Sequence, residues 1–496
     1  MTDYESAMQF LYGRLNYESA PIQKGDFRLQ RMQRLVSACG LQPAAGCSRE
    51  GRIPIVHIAG TKGKGTTASM VAALLSAAGR KTGLYTSPHL RTIHERFRVD
   101  GVNATRHQLT QCVRRIRPIV ESEFAADPPT FFELTTLLAL DRFQNAGCDA
   151  IVLEVGLGGR LDSTNVCHPA LTAITSIGLD HVHVLGDTHA EIAAEKAGIL
   201  KSKVPVVCGV ESPVAADVIQ GIANDRSCPM HWVLPTADID KHPAGAMGLQ
   251  LGALPTITRY RHEAADRWGS VLNMQCNDPA TRIPNDASES GEYESQWRIP
   301  MEGWQVAKNA AIALRLANLF LASESDLGAV QGDHASLLAD ALSRFDCEAR
   351  IQRIQRTDQP TVIVDGAHNS DSVAALMQAV LRRCAHKNGR TLVFATSRDK
   401  DAPQMLRQLL PHYSNVVLTR FLDNPRGAQP RNLLRDVQKI STDLNLNNEL
   451  SVTVTDSPAE AILAADEKTD NDGWIVVCGS FFLAGEMLDV LQQRRQ

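Results

Sequence analysis

The residues best suited to chemistry stand closest together at Gly60–Thr67, G-T-K-G-K-G-T-T. Apart from His57, the preceding Ile53–Ile58 holds only Ile, Val and Pro, as a short buried parallel strand would. From Thr66 the chain resumes as a helix rich in Ala and Leu, through Met70, Leu74 and Leu75. Strand, Gly-rich turn and helix form a phosphate cradle. Gly60, Gly63 and Gly65 let N–H groups of Thr61, Lys62, Thr66 and Thr67 face phosphate oxygens, the helix N-terminus adds its dipole, and Lys64 adds a point charge. Gly65 sits between Gly63-Lys64 and Thr66, a departure from the common P-loop spacing. A Gly/Lys loop can be a plain turn, but this context points to nucleotide binding.

Three further groups stand at predicted strand ends, where loops of such sheets gather. Ser87 closes a second strand, Glu154 lies within the apolar run Ile151–Val155, and Asp180-His181 follows a third. A carboxylate in an apolar strand is costly unless it meets a cation or a hydrogen-bond network. Mg²⁺ is a natural partner, taking oxygen ligands from side chains and phosphates. Glu154 could instead pair with Arg160, and His181 could be a satisfied core histidine. His181-Val182-His183 also resembles a fragment of a zinc site, with no third ligand placed by sequence.

At 496 residues the chain is too long for one core, and its net charge of −4 predicts neither a nucleic-acid nor a membrane partner. No apolar run reaches the ~20 residues of a bilayer span. The start, Met1-Thr-Asp-Tyr-Glu, is unlike a signal peptide, and the 11 cysteines form no C-x-x-C pair. A cytoplasmic protein with reduced thiols is expected.

Helices are predicted at Ser6–Tyr17, Leu29–Cys39, Thr105–Glu123, Leu134–Asn145, Thr188–Leu200, Gln305–Ala322 and Ala335–Leu342. Between them lie strands at Lys81–Tyr85, Ala150–Val155, Pro169–Ser176 and Val204–Cys208, a charged extended arm at Arg91–Val99, and a loop marked by Pro43, Gly46 and Gly51. The alternation predicts an α/β fold with a doubly wound, mostly parallel sheet over residues 1–345. From about 235 to 297 the rhythm lapses into a loop-rich segment of short antiparallel strands. It restarts at Thr361, so residues 346–496 form a smaller Rossmann-like α/β domain after a linker near Arg344–Arg350.

Taken in order, G-T-K-G-K-G-T (Gly60–Thr66), T-S-P-H-L (Thr86–Leu90), F-F-E (Phe131–Glu133) and L-E-V-G-L-G-G-R-L-D-S-T-N (Leu153–Asn165) resemble the folylpolyglutamate synthase/dihydrofolate synthase family of the Mur ligase superfamily. So do G-L-D-H (Gly178–His181), E-K-A-G-I (Glu195–Ile199), V-D-G-A-H-N (Val364–Asn369), S-R-D-K-D (Ser397–Asp401) and G-S-F-F-L-A-G-E (Gly479–Glu486). The resemblance implies an ATP-dependent ligase that joins L-glutamate to the carboxylate of dihydropteroate or a reduced folate through an acyl phosphate. It implies one Mg²⁺ on Ser87, Glu154 and His181, and a second served by a carbamylated Lys196; taken alone, Lys196 reads as an exposed helix lysine. It implies a pterin side at Thr130, Phe131, Phe132, Glu133, Leu161, Asp162 and Ser163, although the Phe pair could equally be core. Further ATP contacts would come from Asn309, Arg350, Asp365 and His368, so that domain closure would precede chemistry. The family also suggests a monomer.

The chain departs from the family at Gln305-Val306, where His and Gln are usual, and at Cys347-Glu-Ala-Arg350, where Trp-Pro-Gly/Ala-Arg is common. Tyr260–Gln296 reads as an expansion without an assigned role. Other readings are a Mur-type ligase with a UDP-sugar acceptor, a nucleotide-binding module without ligase activity, and a small-molecule kinase. None of these explains the acceptor-side motifs as well.

Overall fold

The computed structural model describes residues 2–17, 29–41, 53–237, 256–265, 268–276, 293–325, 334–384, 389–446 and 450–494. The predicted loop at Pro43–Gly51 and much of 235–297 lie outside them. The chain divides into two compact units, Met1–Pro300 with Trp304–Phe345, and Met301–Gly303 with Asp346–Gln496. No described helix is long and apolar enough to cross a membrane.

The first unit holds β1 (Ile55–Ala59), β2 (Thr82–Tyr85), β3 (Phe97–Val99), β4 (Val102–Asn103), β5 (Ala150–Glu154) and β6 (Leu171–Ile174). They are followed by β7 (Val206–Cys208), β8 (Met230–Pro235), β9 (Thr256–Ala264), β10 (Ser270–Cys276) and β11 (Tyr293–Ile299). Among the described residues they make one sheet, in the order β11-β10-β9-β8-β7-β6-β1-β5-β2-β3-β4. β1 runs parallel to both its neighbours, β5 and β6, and every residue of β1 and β5 is buried. Strands covered on both faces read as continuous apolar runs rather than alternating ones. Helix Lys64–Ala77 packs against β1, β2 and β5, and helix Trp304–Ser325 packs on Lys64–Ala77.

Some expectations are corrected. The first helix is Asp3–Tyr12, because Thr2 and Glu5 close a capping box at its start and the chain turns at Gly13. The charged arm is half helical: a 3-10 turn at Ile93–Arg96 precedes β3, and Glu95 accepts the N–H groups of Leu90, Arg91 and Thr92. Helix Pro213–Asp225 and strand β8 had no counterpart in the sequence reading, although Ser212-Pro213 is a serviceable helix start. β9, β10 and β11 pair antiparallel with one another, but β9 pairs parallel with β8 and so prolongs the main sheet.

The second unit contains β12 (Gln352–Ile354), β13 (Thr361–Val364), β14 (Arg390–Phe394), β15 (Asn415–Leu418), β16 (Ser451–Val454) and β17 (Trp474–Cys478). Their order is β12-β13-β17-β14-β15-β16, with β12 antiparallel on one edge and the rest parallel. β12 and the closing helix Phe481–Gln493 were not anticipated as elements.

Candidate active site

The glycine loop follows β1, and its helix begins at Lys64 rather than Thr66, with Gly63 as the residue before it at φ +83°. A β-carbon on Gly63 would stand 2.3 Å from Asn309 Oδ1. Only glycine suits both the left-handed backbone and that approach, and the contact shows how helix Trp304–Ser325 brings Asn309 to the loop. The loop is tied to the end of β6. Thr61 N–H donates to Ser176 O (2.8 Å), Lys62 N–H to Ser176 Oγ (2.9 Å), and Thr175 Oγ1 to Lys62 O (2.7 Å). Thr61 Oγ1 and Gly178 exchange hydrogen bonds of 3.2 and 3.0 Å, which join the G-L-D-H run to Gly60–Thr67. Lys64 Nζ turns back to Thr61 O at 3.3 Å, while Thr66 and Thr67 are buried.

Glu154, at the end of β5, is buried and accepts the Ser87 N–H at 3.0 Å. A β-carbon on Gly65 would lie 3.1 Å from each oxygen of that carboxylate, so the cradle and Glu154 meet where Gly65 leaves room. Carboxylate and hydroxyl oxygens are the hard donors Mg²⁺ prefers, and the donor set at Ser87 and Glu154 fits such an ion. His181 caps the short helix Val182–Leu185 at φ +50°, with its side chain 40% exposed and Nε2 3.8 Å from Asp180 Oδ1. It is therefore not a core histidine. Among the described residues no cluster of three His, Cys, Asp or Glu could hold a metal alone, which leaves the zinc reading without its third ligand. Arg160 pairs with Glu195 at 2.8 Å, the opposite of the pairing with Glu154 considered from sequence.

Lys196 is buried at 4% exposure, not displayed on its helix His189–Ala197. Desolvation by burial and then the charge of Lys64 bring its ammonium down to about 7, against smaller opposing pulls from Asp180, Asp162 and Glu195. A neutral amine is thus accessible at ordinary pH. The loop after β5 lies against the backbone of Lys196. A β-carbon on Gly159 would stand 2.8 Å from Glu195 O, 2.9 Å from Lys196 O and 3.0 Å from Lys196 Cα. Arg160 N–H donates to Glu195 O at 2.8 Å, and a β-carbon on Gly198 would strike Arg160 in return. L-G-G-R and E-K-A-G are two halves of one backbone-on-backbone contact.

On the expected pterin side, Thr130 and Glu133 cap helix Phe131–Ala146 reciprocally. Glu133 is buried and also pairs with Arg31 at 2.8 Å, so its oxygens serve the fold. Phe131 is wholly buried, stacked on Tyr12 at 5.3 Å, which makes it core. Phe132 is only partly buried, and a β-carbon on Gly156 would meet its ring at 2.4 Å. Asp162 is buried and receives the N–H groups of Leu157 and Thr164, both at 2.9 Å; Leu161 is partly exposed and Ser163 buried.

In the second unit, Arg350 lies over the Phe481 ring at 4.7 Å, between Ala349 at φ +55° and Ile351 at φ +49°. Asp365 accepts N–H groups from Ile351 and Ala367, each at 2.7 Å. Burial raises its carboxyl above the usual range, and Arg350 works against that rise. His368 donates from Nδ1 to Gly366 O at 2.8 Å. Phe481 escaped the residue-by-residue reading, although it lies inside G-S-F-F-L-A-G-E.

Known proteins place these observations in a family. Residues 58–231 match the Mur ligase middle domain, and 349–481 the Mur ligase glutamate ligase domain. A Haloferax volcanii protein described as a "Probable bifunctional folylpolyglutamate synthase/dihydropteroate synthase" is 32% identical over 485 residues, which is 98% of this chain and 50% of that one. The chain thus spans about half the length of that relative. The dihydrofolate synthase/folylpolyglutamate synthase of Bacillus subtilis is 30% identical over 490 residues, 98% of each chain. The structure of E. coli FolC in complex with DHPP and ADP aligns at TM-score 0.74 and 26% identity, over 100% of this chain and 99% of that one. On this sequence and structural likeness the chain belongs to the dihydrofolate synthase/folylpolyglutamate synthase family, ATP-dependent amide-forming ligases of the Mur ligase superfamily.

Proposed function

We propose that this enzyme adds L-glutamate to a pterin-borne carboxylate, that of dihydropteroate, of a reduced folate, or of both. A carboxylate is a poor electrophile until one oxygen becomes a leaving group. A pterin carboxylate oxygen attacks the γ-phosphorus of ATP, ADP leaves, and an acyl phosphate results. The glutamate amine then adds to the acyl carbon, loses a proton, and expels phosphate from the tetrahedral intermediate. Gly60–Thr67 wraps the phosphates, Lys64 counters the charge passing from γ- to β-oxygens, and Asn309 borders the nucleotide beside Gly63. Ser87, Glu154 and His181 would hold one Mg²⁺ and carbamylated Lys196 would serve a second; bound there, the ions neutralise phosphate charge. Phe132 is the member of the Phe pair able to face a pterin, with Leu161–Ser163 alongside. Arg350, Asp365 and His368 are assigned nucleotide contacts by the family resemblance alone. The enzyme works as a monomer in the cytoplasm, as the family resemblance and the lack of a C-x-x-C pair suggest.

The observation that carries this reading is the meeting of cradle and carboxylate: Glu154 accepts the Ser87 N–H at 3.0 Å, and a β-carbon on Gly65 would lie 3.1 Å from its oxygens. It supports a metal ligand at the base of a phosphate cradle. The test is ADP release from ATP with Mg²⁺ and L-glutamate, with dihydropteroate and tetrahydrofolate in separate tubes and products identified by mass. Glutamate addition to both establishes a bifunctional enzyme, and addition to one assigns its branch. ADP release driven only by a UDP-sugar acceptor overturns the folate reading.

A Glu154→Gln variant keeps the shape and removes the charge. It should need at least about tenfold more Mg²⁺ for half-maximal rate, at nearly unchanged Tm. An unaltered Mg²⁺ titration would remove Glu154 from the metal site.

A further inference from the structure

His57 stands mid-way along β1, between Leu153 of β5 and Thr172 of β6, and is wholly buried. Its neighbours Val56 and Ile58 are apolar, and an apolar residue would serve the strand equally well. A buried imidazole persists only where its two nitrogens are satisfied. Nε2 lies 2.8 Å from Thr164 Oγ1, and Nδ1 3.6 Å from Cys167 Sγ.

The direction of these bonds follows from counting hydrogens. With Asp162 ionised, Thr164 Oγ1 gives its one proton to Asp162 Oδ1 at 2.5 Å; burial raises the Asp162 carboxyl, and the hydrogen bonds it accepts from Leu157 and Thr164 work against that rise. Toward His57 the hydroxyl can only accept, so the imidazole carries its hydrogen on Nε2. Nδ1 is then bare and accepts from the Cys167 thiol. Burial keeps both groups neutral, drawing His57 down to about 3 and pushing Cys167 up to about 12. The chain runs one way, from Cys167 through His57 and Thr164 to Asp162, whose other oxygen accepts the Leu157 N–H. It links the strand of the glycine loop to the segment Leu157–Asn165, and that segment presses Gly159 against the backbone of Lys196.

We propose that His57 is a positioning residue of the ligase site: its Nε2–H, donated to Thr164, sets the loop Leu157–Asn165 and, through Gly159, the place of Lys196. The significance of Lys196 rests on the function proposed above; the link between His57 and the Lys196 backbone does not.

Two variants and one spectrum test this on the full chain. Ring nitrogen shifts of His57 should report the neutral Nε2–H tautomer. His57→Phe retains bulk and deletes the donor, whereas His57→Gln places an amide N–H near Nε2. His57→Phe should lower kcat for glutamate addition roughly tenfold to a hundredfold with KM for ATP unchanged, and should speed hydrogen exchange at the Lys196–Ile199 amides. His57→Gln should restore most of the rate and the protection. An Nδ1–H tautomer, or equal losses in both variants that follow their Tm, would overturn the proposal. If the wild type adds glutamate to neither pterin, the ligase reading fails, and the exchange measurement still decides whether His57 holds this loop.

Discussion

A Lys196→Ala variant should lose on the order of 10²–10³-fold in kcat, and formate should restore part of it where methylamine does not. The reasoning starts from burial. At 4% exposure and a pKa near 7, Lys196 is neutral in a large share of molecules at physiological pH. A neutral amine can attack CO₂, forming an N–C bond, releasing a proton and leaving a carbamate. Falling pH opposes that step twice, by protonating the amine and by mass action of the released proton. Below pH 7 the neutral fraction drops about tenfold per unit. Carbon-13-labelled bicarbonate should therefore mark Lys196 strongly at pH 8 and weakly at pH 6. Formate restores the rate because the acting group is a carboxylate. Recovery with methylamine alone would show the ammonium to be the acting form, and would remove carbamylation from the mechanism.

Gly159→Ala should damage both fold and rate. The added carbon would meet three backbone atoms of Glu195 and Lys196 at 2.8–3.0 Å, none of which can rotate aside. Either the loop after β5 or the E-K-A-G segment must move. Overpacking of this kind costs about 1–3 kcal/mol, and misplacing Lys196 by ~1 Å costs about 10²-fold in rate. Thermal unfolding and kcat measured on the same preparation check both effects. A variant of normal activity would mean that Lys196 tolerates displacement, which would weaken its place at the reacting phosphates.

Where the candidate site was legible, its signals are local. Gly60–Thr67 declares itself through a strand, glycines and a helix that adjoin in the chain, and Glu154 through a charge in an apolar run. Lys196 was not legible from its own surroundings. A-A-E-K-A-G on a helix looks solvent-facing, yet Lys196 is 4% exposed, and its backbone is met by Gly159, a residue remote in sequence. The same limit hid Arg160's partner and the identity of the buried Phe of Phe131-Phe132, which depends on Tyr12. In the fold, the parallel core was plain from runs such as Ala150–Val155. The antiparallel strands β9–β11 were expected, but nothing local tells that β9 pairs with β8 and joins them to the main sheet. Helix Pro213–Asp225 has a usable local start in Ser212-Pro213, so its absence from the expected elements has no physical cause.

The position of β1 between β5 and β6 also bears on how the protein is made. Both partners are specified by codons long after those of β1, and Thr61 and Lys62 are tied to Ser176. A nascent chain that stops short of Gly178 thus lacks the lateral supports of its glycine loop. At ~5–20 residues per second, the ribosome takes on the order of 10 s to supply them. For most of that interval, until β5 is made, β1 is an apolar segment without its parallel partners, within reach of chaperones and of neighbouring nascent chains. Nucleotide binding should accordingly arise on the ribosome late and abruptly, as β6 leaves the exit tunnel, instead of growing as the chain lengthens.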